Sequence, residues 1–424
     1  MSISVYVEGV RCFVKPTEVE LRKLNLLVGE NSSGKTTFMA MVANSLGNGT
    51  GFPGRTDFSV SPYNMGGFES IASHSNSRNG VKPGFKIGFR VGSSDIKAEF
   101  INQDSTPWCK SVHLQLAEAS VSLERDFDGR IIGKLVFPQD GSGELKHLKL
   151  EESKDHQPHA TLQMLFDYGF DFPISIFVDQ KERNSTQLRK YQDEMSKLLK
   201  RRMSVSIAPI RARPRRTYDE PIKHDSPEGE GIPTLLATAL ESKSNLRSHK
   251  AIKEILKSFG RESGLFSDIS ASRLGKGSHS PFQLLATVGG KKINLASVGY
   301  GVSQVLPIVV RSTVIREEIH LLVQQPEVHL HPRAQAALGS FFSRLVPQRE
   351  GLTFIETHSD YLVDRVRQEV AKGVLSPEDV QILFFHKPKA ETIIHSINID
   401  EFGNIEDAPP HYRDFFMQEA MNLL

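Results

Sequence analysis

Cysteine is scarce in this chain: Cys12 and Cys109 are the only two among 424 residues. Two thiols so far apart give neither a metal-ligand spacing nor a disulfide framework, which suits a reducing cytoplasm. Long apolar runs are missing as well. No stretch approaches the roughly 18 residues that would cross a bilayer as a helix. The opening MSISVYVEGV lacks the basic start and apolar middle of a secretion signal. Charge of one sign is not in excess: 52 basic residues face 50 acidic ones, a formal net charge of +2. No global field therefore gathers nucleic acid, although a local patch could still do so. Internal repeats and long low-complexity segments are absent too. A soluble cytoplasmic protein of two or three domains is the expectation.

What is present begins at residues 29–37, Gly29-Glu30-Asn31-Ser32-Ser33-Gly34-Lys35-Thr36-Thr37. The segment fits the phosphate-binding spacing G-x-x-x-x-G-K-[ST]. It follows a branched apolar run (LNLLV, 24–28) and precedes apolar residues at helical spacing (TFMAMVANSL, 37–46). Strand, glycine-rich turn and helix in that order set backbone N–H groups around a polyphosphate at the positive end of the helix dipole. Lys35 would reach the β- and γ-phosphates and the Thr36 hydroxyl would ligate Mg²⁺. The expected ligand is ATP with Mg²⁺.

Beyond a Gly/Ser-dense stretch at 47–80, short β-type segments at 85–138 and 144–180 are separated by turn signals. A charged, polar stretch with spaced Leu and Met, 180–203, reads as a surface helix. The basic cluster Arg211, Arg213, Arg215 and Arg216 follows a strand-like SVSIAPI. A helix pair is expected at 233–259 and a hairpin around Gly289-Gly290. From 302 onward helix, strand (319–323), helix (334–345), strand (352–356) and helix (359–371) alternate. That order implies a mostly parallel sheet with helices on its faces.

The strand at 319–323 ends in Gln324-Gln325-Pro326-Glu327, where a P-loop ATPase delivers a carboxylate to Mg²⁺. The strand at 352–356 ends at Glu356-Thr357-His358-Ser359, placing His358 where it could sense a γ-phosphate. Upstream, Gly301-Val302-Ser303-Gln304 opens a helix, and free N–H groups with a serine hydroxyl make a second phosphate-seeking surface.

Together these motifs resemble an ABC-type ATPase head of the class that includes the OLD, RecF and SMC-like proteins. They are most similar to stand-alone bacterial AAA-family ATPases with a QPE-x-HLHP segment. GENSSGKTTF resembles their Walker A, VGYGVSQVLP their signature motif, VQQPEVHLHP their Walker B and ETHSDYLVDR their switch-histidine segment. APIRARPRRTY (208–218) and the tail from 397 resemble theirs as well. The implied fold is an α/β P-loop NTPase. Residues 1–80 would form the head's N-terminal part, 81–203 an inserted β-rich and helical arm region, and 204–424 the head's C-terminal part. The implied assembly is a head-to-head dimer or larger homo-oligomer sandwiching two ATP molecules. Asn31, Ser32, Ser33, Gly34, Lys35, Thr36 and Thr37 would hold one, and Gly301, Ser303 and Gln304 the γ-phosphate of the partner's. The resemblance also implies a separately encoded effector, such as a nuclease, in antiphage defence. OLD-type proteins continue into a Toprim nuclease domain, and none is expected within these 424 residues.

Walker B departs from this pattern. Gln324 stands where close relatives carry an acid, and Gln325 where many ABC heads carry Glu. An amide gives neither negative charge to Mg²⁺ nor a general base. Three explanations compete: an engineered Glu→Gln change, a natural slow ATPase, or Glu327 taking the acidic role. Slow turnover is the expectation. A DNA-binding RecF-like ATPase and a non-hydrolysing scaffold are the rival functions. DNA contact would fall to residues 200–202 and the arginines at 211–216, though Arg211 or Arg213 could instead pair with acids of the head. His329 and His331 lack a third ligand at metal spacing. Glu69 lies where a γ-phosphate-sensing loop is expected. Asp360 fits either a subunit contact or the start of a helix.

Overall fold

Branched and aromatic residues set the strands, and their pattern separates two kinds of sheet. The computed structural model describes residues 2–47, 52–53, 56–73, 84–126, 131–138, 145–150, 186–200, 202–220, 222, 226–242, 246–277, 280–410 and 412. From the amino terminus run β1 (Ile3–Glu8), β2 (Thr17–Leu21), β3 (Leu24–Gly29), α1 (Lys35–Leu46) and α2 (Phe68–Ile71). Next come β4 (Phe85–Val91), β5 (Ser94–Gln103), β6 (Thr106–Gln115), β7 (Ser120–Arg125), β8 (Ile131–Pro138), β9 (Leu145–Leu150) and α3 (Thr186–Leu199). The following stretch holds β10 (Ser204–Ile207), α4 (Ile232–Glu241), α5 (Arg247–Ser263), β11 (Asp268–Arg273), β12 (Phe282–Val288) and β13 (Lys291–Asn294). The last elements are α6 (Tyr300–Val314), β14 (His320–Gln324), α7 (Pro332–Leu345), β15 (Thr353–Glu356), α8 (Asp360–Ala371), β16 (Val380–His386), β17 (Ile393–Ile399) and β18 (Ile405–Glu406).

The chain divides into two units. The first comprises Met1–Leu21, Asn31–Ser204 and His386–Ile393. Its sheet has eight strands in the order β2-β1-β4-β5-β6-β7-β8-β9, antiparallel throughout. The strands from 85 onward thus continue the sheet that β1 and β2 begin. Alternation fixes the register: Val7, Ile87, Ala98, Val112 and Leu123 are successive cross-strand partners, and all five are buried. A slip of one residue would turn that row outward. Phe85 stacks on Phe100 at 5.2 Å, and Phe58 meets both edge-on. Helix α1 packs on β1 and β4, and α3 on β4 and β5. Of the expected β segments at 144–180 only β9 is described; 151–185 lie outside the described residues, as do Arg201 and the tail from 413.

The second unit comprises Arg22–Glu30, Val205–Phe385 and Ile394–Leu424. Its seven-stranded sheet runs β10-β14-β15-β3-β16-β17-β18, and β14, β15, β3 and β16 are parallel. These strands are almost wholly buried, as expected of a parallel sheet covered on both faces. Val309, Leu338, Phe342 and Val366 on the helices join Leu26, Val323 and Ile355 on the strands in one core. Asn25 is the polar exception in β3, and its side chain is paired: Oδ1 accepts from Arg22 N–H and Gln381 Nε2, while Nδ2 donates to Arg22 O. A separate three-stranded antiparallel sheet, β11-β12-β13, carries the expected Gly289-Gly290 hairpin. This is the mixed α/β, P-loop architecture the sequence implied.

Candidate nucleotide-binding site

The loop after β3 is shaped by two glycines. Gly29 closes the strand at φ 141, and a Cβ there would lie 2.3 Å from Phe385 O on the paired strand. Gly34 precedes α1 at φ 103, and its Cβ would lie 2.7 Å from Cys12 Sγ and 3.3 Å from Thr392 Oγ1. Thr392 in turn donates to Ser33 O at 2.8 Å, pinning the loop from outside. No side chain caps α1, and a helix start of this kind favours an anion. Asn31, Ser32 and Thr36 are exposed, whereas Lys35 and Thr37 are buried. Arg11 donates to Thr37 Oγ1 at 3.5 Å. The Ser33 hydroxyl, 1% exposed, has no hydrogen-bond partner. A buried orphan hydroxyl beside an uncapped helix start is what a phosphate oxygen would satisfy, so these residues fit a nucleotide polyphosphate.

In the second unit the sheet's carboxyl edge collects the other motifs. β15 lies between β14 and β3, with Gln324 paired to Glu356 and Glu356 to Leu27. The Walker B and switch segments therefore leave the edge from which the phosphate loop starts. Gln324, 4% exposed, donates from Nε2 to Glu356 Oε2 at 3.3 Å, while its Oε1 is buried without a partner. Gln325 is left-handed, φ 40, and its N–H donates to Glu356 O. Glu327 reaches across to the switch segment, accepting from Thr357 Oγ1 at 2.9 Å and from the His358 N–H at 2.6 Å. Burial pushes its carboxyl above the usual range; those hydrogen bonds and the nearby Arg211 oppose the shift.

Arg211 is 2% exposed and donates through Nη2 to Gln324 O (3.0 Å) and Gln325 O (2.9 Å). Its Nε and Nη1 have no partner. Burial lowers its guanidinium pKa to about 10, with Glu327 acting in the other direction. His358 is exposed, and Ser359 caps α8 by accepting from Leu362 N–H.

A family model described as an AAA domain matches residues 4–262, more than half of the chain. The chain belongs to that family. An AAA ATPase domain model matches residues 175–363, and residues 375–423 match a protein of unknown function, DUF3696. No curated protein matches the chain. Similar solved structures include an SMC head domain from Thermotoga maritima, 9% identical with a TM-score of 0.36, covering 93% of this chain and 98% of that one. Another is an Smc head bound to the C-winged helix domain of ScpA, 9% identical, TM-score 0.42, covering 93% and 97%. A third is an Smc head with an extended coiled coil bound to the C-terminal domain of ScpA, derived from Pyrococcus furiosus. It is 10% identical with a TM-score of 0.40, and covers 100% of this chain and 98% of that one.

In this AAA domain the signature segment opens α6, with Gly299 rather than a serine at the cap. Ser303 is 6% exposed and donates to Tyr300 O at 2.9 Å, within its own first turn. Gln304 is buried and Gly301 half-buried. What the tip presents outward is Tyr300, whose ring centroid lies 5.7 Å from that of His329. Ser303 also lines a cavity of about 330 Å³ with Arg213, Arg215 and Tyr218. His331 caps α7 by accepting from Arg333 N–H. No group of three His, Cys, Asp or Glu side chains poised for a metal occurs among the described residues, and no helix there is long and apolar enough to cross a membrane. Glu69 accepts from Asn102 Nδ2 at 3.0 Å, and Asp360 opens α8.

Sequence reasoning did not assign roles to Glu356 and Thr357, and it left Arg211 among several options. The available signal was the Glu-Thr-His run at the end of an apolar strand. Nothing local marks Arg211, because its partners are carbonyls more than a hundred residues away.

Proposed function

We propose that this AAA-domain chain is a slow, Mg²⁺-dependent ATP switch that pairs head to head around nucleotide. Asn31 to Thr37 would hold the polyphosphate through backbone N–H groups and Lys35, and the Thr36 hydroxyl would be a ligand of the metal. Bound Mg²⁺ would offset charge on the β- and γ-phosphates. Gly301, Ser303 and Gln304 turn toward the γ-phosphate carried by a second copy. Ser303 must leave Tyr300 O to do so, and the cavity it lines gives the hydroxyl room. Gln324 and Gln325 supply no charge, and losing one such group typically costs about 3 kcal/mol, roughly a hundredfold in rate. The nucleotide state then governs a separately encoded effector, a nuclease being the chemistry of choice, in bacterial antiphage defence.

The observation that carries this reading is Glu327. One carboxylate holds Thr357 and His358 from the turn after β14, so a change at either segment is felt by the other. That is the mechanical link a switch needs. Solution mass with and without Mg²⁺-ATP, for the unaltered chain and Lys35→Ala, is the test, together with turnover before and after Gln324→Glu. ATP-dependent dimerisation lost in Lys35→Ala, and acceleration by Gln324→Glu, are expected. Brisk hydrolysis by the unaltered chain, or a mass indifferent to ATP, would overturn it. The exposed Arg213, Arg215 and Arg216 favour a second reading, a DNA-binding repair ATPase. It requires DNA affinity that rises with ATP and falls steeply with salt.

A further inference from the structure

We infer that Glu356, at the end of β15, supplies the metal-binding carboxylate that Walker B lacks, the acid having moved one strand toward the phosphate loop. The inference rests on the nucleotide-switch reading above. Mg²⁺ is held through one or two carboxylates plus substrate phosphates, because it demands hard oxygen donors and retains several waters. Gln324 and Gln325 offer only neutral amides.

Two buried or nearly buried carboxylates lie at the ends of β14 and β15. Glu327 bridges the two segments, its oxygens accepting from Thr357 Oγ1 and from the His358 N–H, with Arg211 nearby. Glu356 stands at the strand end itself. It is 4% exposed, ends the strand between β14 and β3, and sits one ladder position across from Leu27, two residues before Gly29. Its carboxylate takes an N–H from Gln324 at 3.3 Å, and the other atom of that amide, Oε1, is buried with no partner. A buried amide with an unpaired oxygen beside a buried carboxylate is an incomplete arrangement for a protein interior. Both groups are oxygen donors of the kind a divalent cation takes. Gln324 then serves as a neutral oxygen ligand or positions Glu356, and the negative charge comes from Glu356.

The test measures binding, not turnover. Affinity for adenylyl imidodiphosphate is measured by calorimetry in Mn²⁺ and in EDTA, with the Mn²⁺ spectrum followed by electron paramagnetic resonance. The unaltered chain, Glu356→Gln, Glu356→Asp, the double variant Glu356→Gln with Gln324→Glu, and Lys35→Ala are compared, each checked for an unchanged melting transition. Glu356→Gln is expected to lose at least tenfold of the Mn²⁺-dependent gain while keeping its affinity in EDTA. Glu356→Asp keeps part of the gain, and restoring the acid at 324 recovers it. An undiminished Mn²⁺ gain in Glu356→Gln overturns the inference and leaves the nucleotide reading standing. Failure of the unaltered chain to bind the analogue, or indifference to Lys35→Ala, overturns the reading itself.

Discussion

Replacing Arg211 tests whether the turn after β14 is held by a buried cation or merely tolerates one. Its Nη2 makes two hydrogen bonds, to Gln324 O and Gln325 O. Bonds from a charged donor contribute about 1.5–3 kcal/mol each, so about 3–6 kcal/mol is at stake. Against this stands the cost of burying the guanidinium with Nε and Nη1 unpaired. A pKa pushed down to about 10 corresponds to a cost of about 3 kcal/mol. Arg211→Met removes both terms, and Glu327 also loses its neighbouring cation. The balance favours the arginine by up to about 3 kcal/mol, about 1.5 kcal/mol at the middle of the range. Arg211→Lys keeps the charge but gathers its donors on one nitrogen, and should fall between. Urea denaturation at constant m-value reads the stability. Nucleotide affinity should drop by about tenfold as the left-handed Gln325 relaxes, since such backbone strain persists only where surroundings hold it. A methionine variant as stable as the parent, or more so, would refute the clamp.

Three further outcomes follow from the same structure. Gly34→Ala forces a Cβ to within 2.7 Å of Cys12 Sγ at φ 103 and should abolish nucleotide binding while costing about 1–3 kcal/mol, seen by calorimetry and thermal melting together. Glu327→Gln turns one acceptor into a donor facing an N–H or O–H, leaving a buried donor unmatched at about 1–3 kcal/mol. Because burial raises the Glu327 carboxyl, its contribution to stability is fullest below the ordinary carboxylate pKa and declines as pH climbs through the raised value. Melting temperatures from acid to neutral pH should therefore vary less steeply in Glu327→Gln through that interval. Phe100→Ala empties the ring cluster with Phe58 and Phe85 and should cost about 3–5 kcal/mol, measured by denaturation.

The elements that sequence made legible are those whose cause is local. Apolar spacing and flanking glycines placed α1, α6, α7, α8 and the parallel strands to within one or two residues, because helix and strand periods and turn chemistry act over a few positions. The glycine-rich turn between β3 and α1 was legible from its own spacing and from the strand and helix flanking it, although the atoms its glycines must clear, on Phe385, Cys12 and Thr392, lie far off in sequence. Sheet membership was not. The strands from 85 onward read as an inserted region, yet β4 pairs with β1 across more than eighty residues. Period-2 alternation says that a strand has a buried face without saying which neighbour it takes. Ser303 illustrates a second limit: a helix-start serine looks like a phosphate donor in sequence, but an oxygen three residues back, Tyr300 O, is the nearer acceptor in the chain alone.

Charge accounting at the carboxyl edge connects the two glutamines to the rest of the site. With Gln324 and Gln325 neutral, the charged groups that bond at the ends of β14 and β15 include Glu327, Glu356 and Arg211. A carboxylate in place of the Gln324 amide would stand about 3.3 Å from Glu356 Oε2, a repulsion of about 5 kcal/mol at an effective dielectric near 20. A proton, a divalent cation or a neighbouring basic side chain would be needed to offset it. The amide converts that repulsion into a hydrogen bond, so the edge can be assembled without metal, and under the inference drawn above a metal would be felt mainly through Glu356. A head with both acids would depend on the cation for its resting geometry. On the proposed function, this one would keep its shape first and take up nucleotide and metal second, which is the order expected of a switch rather than of a fast hydrolase.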